Sequence, residues 1–384
     1  MARLATLARD LTMLARGLTG RTPPPLVARA PRPSRAEPAP APPLAAASTP
    51  TRTVVIDAIT RETADAVSLT LRDPTGAPLP FTPGQFFTIE ATIDGERVRR
   101  AYSASSDARE HDRATITVKR VAGGRMSTFL TERAAPGLAL ALLGPSGDFA
   151  LPAPAATPAG AAPRHVVAIA GGSGITPIVA ILRAALVDQP TTRVTLLYAN
   201  RTRAAIIFAD ALATLVAQHG DRLRVVHHLD DEHDVPTTAA IAAHLAADVD
   251  DVLLCGPAPL MALARDAAAG VGIAASRVRE ERFFAPTRPT VPTTAQPVTI
   301  RRGAAIARVI VRPGDTVLEA GLAAGVPLAM SCAMGGCGAC AVRLVDGAVA
   351  MDEPNCLTAD ERARGTILAC VARPTAPCTV EAPP

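Results

Sequence analysis

The densest chemistry in this chain lies in "SCAMGGCGAC", residues 331–340, where three of the seven cysteines fall within ten positions. Cys332, Cys337 and Cys340 are separated by four and then two residues, and Cys370 follows in "TILACVARP". Thiolate is the form of cysteine that binds metal. One loop with this spacing and a distant fourth thiol is the arrangement that wraps a 2Fe-2S cluster. Gly335, Gly336 and Gly338 allow the tight turns and close backbone approach such a loop needs. A structural zinc site is the competing assignment, but zinc sites more often use two short Cys pairs, and here the fourth ligand stands alone. Cys356 and Cys378 fall outside the pattern and are expected to be spare thiols.

Five other stretches carry groups suited to binding. "RAYSASS" offers Arg100 to neutralise a phosphate, Tyr102 to stack on a flat ring and Ser103 to hydrogen-bond its edge. In "GGRMSTFL", Gly123 and Gly124 precede a helix predicted to start near Ser127, where free amides could receive a phosphate. "AGGSGITPI" places Gly171, Gly172 and Gly174 after a strand, with Thr176 and Pro177 suited to a helix start. "LLCGPAPLM" brings Cys255, Gly256, Pro257 and Met261 to the same edge, and "YANRTR" adds Arg201 and Arg203, whose guanidinium groups suit a nucleotide's 2′-phosphate. The glycine loop is not the G-x-G-x-x-G fingerprint; its value comes from its place at the carboxyl end of a parallel strand.

These residues need elements to hold them. Residues 51–155 read as short β-like runs ("TVVIDAIT", "AVSLTLRD", "QFFTIEATI", "RATITVKRV") broken by Gly and Pro, which predicts an antiparallel barrel or sandwich. Over residues 162–286 strand and helix patterns alternate, which predicts a parallel sheet with helices on its faces. A linker at residues 287–296 leads to residues 297–384, where "VTIRRG" and "ARVIVRPG" read as a hairpin and "DTVLEAGLAAG" as a helix with a Thr316–Glu319 capping box and Gly325 at its end. Residues 1–50 begin with Leu4, Leu7, Leu11, Leu14 and Leu18 at helical spacing, then run into a Pro/Ala-rich linker. That helix is either a loosely attached segment or a weak membrane-surface, targeting or partner-docking element.

Composition excludes several classes. The net charge of +4 over 384 residues, with Lys119 the single lysine and no basic stripe interleaved with aromatics, gives no footprint for nucleic acid. The longest uncharged apolar run, Val166 to Leu182, is interrupted at its middle by three glycines and Pro177, so it reads as strand, turn and helix rather than a membrane span. The odd, clustered cysteines argue for a reducing compartment, so a soluble, cytoplasmic protein is expected. "HHLDDEHD", with His227, His228 and His233, is expected to be a solvated turn after a strand rather than a metal site.

Residues 298–380 resemble a plant-type ferredoxin domain of β-grasp fold, and "RAYSASS", "GGRMS", "GPSGDF", "GGSG" and "CGP" together resemble the ferredoxin-NADP reductase superfamily. The resemblance is strongest to reductase components with a C-terminal ferredoxin, the type associated with phenylacetyl-CoA epoxidase, ketosteroid 9α-hydroxylase and acyl-lipid desaturases. It implies an antiparallel β-barrel flavin domain, an α/β nucleotide domain and a β-grasp ferredoxin domain. It assigns Arg100, Tyr102, Ser103, Val118, Gly123, Gly124, Met126 and Ser127 to the flavin. Gly171, Gly172, Gly174, Thr176, Arg201, Arg203, Cys255, Gly256, Pro257 and Met261 go to NADPH or NADH. Ser103, Cys255 and Glu281 take the reacting centre, with Phe283 and Phe284 as covers for the flavin, and Cys332, Cys337, Cys340 and Cys370 the metal. FAD is favoured from the "ITVKRVAGGRMS" region, with FMN the alternative used by the phthalate dioxygenase reductase branch. The implied function is electron transfer from NAD(P)H through flavin and cluster to a separate oxygenase, hydroxylase or desaturase. A reductase of a small diffusible acceptor and a ferredoxin-like carrier or sensor are the alternatives.

Overall fold

A computed structural model describes residues 51–153, 163–245, 248–283, 294–353 and 355–384. The N-terminal helix, the Pro/Ala linker, Phe284 and most of the second linker lie outside these residues. Among the described residues no helix is long and apolar enough to cross a membrane.

Six strands, β1 (Arg52–Thr63), β2 (Ala66–Arg72), β3 (Phe86–Ile93), β4 (Glu96–Ser103), β5 (Arg113–Lys119) and β6 (Ala139–Ser146), form one antiparallel sheet in the order β4-β3-β6-β1-β2-β5. An Ala104–Ile116 bridge joins the outer strands and closes it into a barrel. Period-2 alternation sends Leu69, Leu71, Phe87, Ile89 and Ile116 inward, all buried. A two-residue turn at Asp94 and Gly95, both at positive φ, joins β3 to β4 and sets their register. Arg100 and Tyr102 therefore share one face of β4, and Ala101 and Ser103 the other. Helix α1 (Arg125–Glu132) packs on the barrel and starts two residues earlier than predicted, with Gly124 as its N-cap.

Strands β7 (His165–Gly171), β8 (Arg193–Asn200), β9 (Leu223–Leu229), β10 (Asp251–Cys255) and β11 (Val278–Glu281) form a wholly parallel sheet in the order β11-β10-β7-β8-β9. Helices α2 (Ile175–Asp188) and α3 (Ala209–His219) cover one face through Ile178, Leu182 and Leu212; α4 (Ala258–Gly270) covers the other through Leu260 and Ala264. The chain leaves β7 toward β8 and returns on its other side as β10, so the crevice at their carboxyl ends is the switch point where such sheets bind ligands. His227 and His228 lie within β9 and Asp230–His233 is a short helical turn, which corrects the expectation that all of "HHLDDEHD" follows the strand.

The last region holds β12 (Gln296–Arg302), β13 (Ala305–Val311), α5 (Val317–Ala323), β14 (Ala341–Asp346), β15 (Val349–Met351), β16 (Thr366–Leu368), β17 (Ala372–Pro374) and β18 (Cys378–Ala382). The main sheet runs β13-β12-β18-β14-β16, with β12 and β18 parallel, as in a β-grasp fold, and α5 opens with the Thr316–Glu319 capping box. The barrel packs against both neighbours. Its Leu143 belongs to the ferredoxin core, and its Ala66 joins the nucleotide-domain core. Thr88 Oγ1 donates to the Cys332 carbonyl at 3.0 Å, Ser331 Oγ donates to Ser146 Oγ at 2.6 Å, and the Phe208 amide donates to Glu62 Oε2 at 3.3 Å.

Candidate functional site

The four thiols of the cluster loop come together as two pairs. Cys332 lies beside Cys337, and Cys340 beside Cys370. Among the described residues no three His, Cys, Asp or Glu donors converge as a single-ion site requires. Two thiol pairs are the donor set of a binuclear centre, with one pair for each iron, so the residues present fit a 2Fe-2S cluster. The loop's amides already turn inward: Met334 N donates to Cys332 Sγ at 3.4 Å and Gly335 N to Cys370 Sγ at 3.2 Å. The neighbouring Cys332 thiol, together with main-chain amides, holds the Cys337 thiol well below its usual range. Cys356 sits beside this loop, its amide donating to the Gly335 carbonyl at 2.9 Å, and Cys378 is buried in β18.

A cavity of about 310 Å³ joins this loop to the barrel, and Arg100, Gly123 and Gly124 line it opposite Met334, Cys370 and Val371. Arg100 makes no ion pair among the described residues, and its Nη1 donates only to the adjacent Arg99 carbonyl at 2.7 Å. An uncommitted guanidinium beside the start of α1 suits a phosphate, so these residues fit a flavin's phosphate. Tyr102 packs against the barrel core, and burial pushes its phenol up. Val118 and Met126 are buried in that core, so only their main chain is free for a cofactor. Ser127 is also buried, accepting from the Val121 amide at 3.1 Å.

A second cavity, about 60 Å³, lies where all three domains meet. Ser103 and Phe86 of the barrel, Glu281 and Phe283 at the end of the nucleotide domain, and Cys332 and Met334 of the cluster loop line it. That Phe86, Met334 and Cys332 are neighbours of Ser103 is what sequence reasoning misses; "GQFF" is the available signal, and long-range packing is what unites them. Glu281 is the register partner of Cys255 across β10 and β11. Burial, reinforced by Asp148, pushes the Glu281 carboxyl up to about 7, and burial with Glu281 pushes the Cys255 thiol well up.

At the switch point the glycines are explained by contact. A Cβ on Gly174 would lie 2.1 Å from the Cys255 carbonyl oxygen, one on Gly256 2.8 Å from the Gly171 amide nitrogen, and one on Gly171 2.6 Å from Pro257 Cδ. The two loops thus pack backbone on backbone. Thr176 Oγ1 is turned back to the Ser173 carbonyl at 3.0 Å, and Met261 is buried beneath the sheet. Arg201 and Arg203 stand exposed after β8, with Arg203 paired to Glu232 at 3.1 Å.

Comparison with known proteins agrees with this geometry. Residues 53–151 match the oxidoreductase FAD-binding domain, residues 168–266 the oxidoreductase NAD-binding domain, and residues 306–375 the 2Fe-2S iron-sulfur cluster binding domain. The chain is 37% identical over 336 residues to the ferredoxin reductase component of 3-ketosteroid-9-alpha-monooxygenase from Mycobacterium tuberculosis, covering 82% of this chain and 90% of the relative. It is 32% identical to a component of the 1,2-phenylacetyl-CoA epoxidase of Escherichia coli K12, covering 82% and 92%. Among solved structures, phthalate dioxygenase reductase, described as modular for electron transfer from pyridine nucleotides to [2Fe-2S], superposes with a TM-score of 0.62 at 25% identity, over 87% of this chain and 98% of that one. The chain therefore belongs to the family of ferredoxin reductase components that carry an FAD-binding, an NAD-binding and a C-terminal 2Fe-2S domain on one polypeptide.

Proposed function

We propose that this reductase takes electrons from NAD(P)H at the junction of its three domains and delivers them to a separate oxygenase, hydroxylase or desaturase. The cavity shared by Ser103, Glu281 and Cys332 carries this reading, because it places the nucleotide edge, the barrel and a cluster ligand within one small space. When bound, a flavin accepts an electron pair as hydride and passes electrons on singly, and a 2Fe-2S centre carries one at a time. The protein's part is geometry. Arg100 and the amides at the start of α1 hold the phosphate. Ser103 and Glu281 face the reacting edge, and Glu281, kept largely protonated below pH 7, offers a proton donor there. Gly171, Gly172, Gly174, Gly256 and Pro257 admit the pyridine nucleotide at the switch point, next to Cys255. Cys332, Cys337, Cys340 and Cys370 hold the cluster.

FAD is the flavin this reading favours, and FMN the alternative. Arg203 is spent on Glu232. Arg201 is therefore the guanidinium left for a 2′-phosphate, and an Arg201→Ala variant should lose activity with NADPH while keeping it with NADH. Anaerobic stopped-flow absorbance with each nucleotide, with flavin identified after denaturation, tests the whole path. Flavin bleaching followed by loss of the iron-sulfur bands is expected. Bleaching that never reaches the cluster would refute the path.

A further inference from the structure

The cavity that contains the Arg100 cradle is walled on its far side by the ferredoxin domain, and one residue of that wall has no role so far. Arg373 lies on β17, three residues after Cys370, and is 4% exposed. Its Nη1 donates to Asp352 Oδ1 at 2.5 Å and to the Val371 carbonyl at 3.3 Å. Its Nε is buried and meets no acceptor among the described residues. Buried polar groups in native proteins are normally satisfied, and a guanidinium fork matches the oxygens of a phosphate.

The charge of the cavity points the same way. Five arginines line it against three carboxylates. Arg97 and Arg99 share Glu319, Arg125 takes Glu96, and Arg373 takes Asp352, while Arg100 has no acid among the described residues. Glu90, outside the lining, also meets Arg99. With Glu90 counted, Arg100 is the one guanidinium of the lining left without a carboxylate among the described residues, so the cavity keeps a net positive charge for an anion.

We propose that Arg373 is a second ligand for the flavin's phosphate, supplied by the ferredoxin domain opposite the Arg100, Gly123 and Gly124 cradle of the barrel. Asp352 is its positioning residue, pinning Nη1 and leaving the rest of the guanidinium for the anion. The inference rests on the flavin reading above. Its consequence is that the bound flavin bridges the domain that loads electrons and the domain that removes them, so flavin retention and ferredoxin docking reinforce one another.

The test uses the full chain with its cluster in place and its flavin removed, titrated with FMN, FAD and riboflavin by fluorescence quenching. Arg373→Met should weaken FMN and FAD by about tenfold or more, while riboflavin, which lacks phosphate, changes less than about twofold. Arg373→Lys should restore most of the loss, and visible circular dichroism of the cluster should match wild type throughout. FMN and FAD affinities near wild type in Arg373→Met would overturn the proposal, as would equal weakening of riboflavin and FMN, which is the mark of a structural role. Should Arg373→Met lose the cluster, the FMN-to-riboflavin affinity ratio in Arg373→Gln, which keeps a polar donor and removes the charge, decides: a lowered ratio supports the proposal and an unchanged one overturns it. Wild-type protein that binds none of the three flavins would remove the flavin reading itself, and the proposal with it.

Discussion

Two loops in this molecule are built from glycine and cysteine and use them for opposite purposes. At the nucleotide edge Cys255 is 1% exposed, and burial and Glu281 press its thiol toward the protonated form; Gly171, Gly174 and Gly256 leave no room for a side chain. At the cluster loop Cys337 is half-buried and held toward thiolate, and the glycines answer to torsion: Gly335 and Gly338 sit at φ +78° and +75°. The same two residue types thus act through contact in one place and through backbone conformation and ligation in the other. A motif of Gly and Cys carries no single physical meaning until its neighbours are known.

The largest effect should come from the cysteines. Cys370→Ala leaves Cys340 without its partner and one iron short of a ligand, so the variant should lose the iron-sulfur absorbance and all electron delivery to a one-electron acceptor. Cys255→Ala should keep that absorbance in full. A Cys370→Ala protein with a normal cluster spectrum would break the comparison at its strongest point.

Next comes Gly174→Ala. Its Cβ would stand 2.1 Å from a backbone oxygen that no rotamer change can move, so the β7 and β10 loops must part. The expected cost is about 3 kcal/mol in the nucleotide domain. Misplacing the nucleotide should also lower kcat/KM for flavin reduction by about a hundredfold, with the cluster spectrum retained. Steady-state kinetics equal to wild type would show that these glycines do not set the loop spacing.

Much of this is legible in the sequence, for reasons that differ by region. The cluster ligands declare themselves because one loop must carry three of them, and spacing is a property of sequence. The parallel sheet is legible from the alternation of strand and helix patterns, and the capping box at Thr316 from two residues three apart. Thr88, Arg373 and the pairing of Glu319 with Arg97 are invisible there because their partners or shared cavity lie in another domain, more than 200 residues away for Thr88 on Cys332 and Arg97 on Glu319. The resemblance groups Val118 and Met126 with the flavin residues, but strand and helix periodicity turns both side chains into the barrel core. Period 2 likewise separates Tyr102 from Ser103, which sequence adjacency places together.

Glu281 tests the electrostatic half of the comparison at smaller scale. Burial raises its carboxyl from the ordinary 4.5 to about 7, so between those values the folded protein keeps a proton that the unfolded chain releases. Stability is therefore full below pH 4.5 and falls as pH rises toward 7, then levels off. Glu281→Gln removes the ionisation, and between pH 5 and pH 8 it should gain about 2 kcal/mol on wild type in denaturant unfolding of the nucleotide domain. Parallel stability curves for the two proteins would mean that the carboxyl ionises without penalty and that its burial beside Cys255 has no electrostatic weight.

The smallest effects set a constrained glycine against an unconstrained one within the cluster loop itself. Gly335 lies at φ +78° and its Cβ would meet Asn355 Cβ and the Val371 methyls at 3.3 Å, so Gly335→Ala should cost about 1–2 kcal/mol and speed cluster loss on dilution with a chelator. Gly336 has neither a positive φ nor an atom within 4 Å of its Cβ position. Gly336→Ala should therefore stay within about 0.5 kcal/mol of wild type and release its iron at the wild-type rate. The pair is informative because the residues are adjacent and differ in torsion and contact alone: if Gly336→Ala proved the more damaging, the loop's glycines would have to be serving close approach to the cluster rather than backbone shape, and the division between the two loops would collapse.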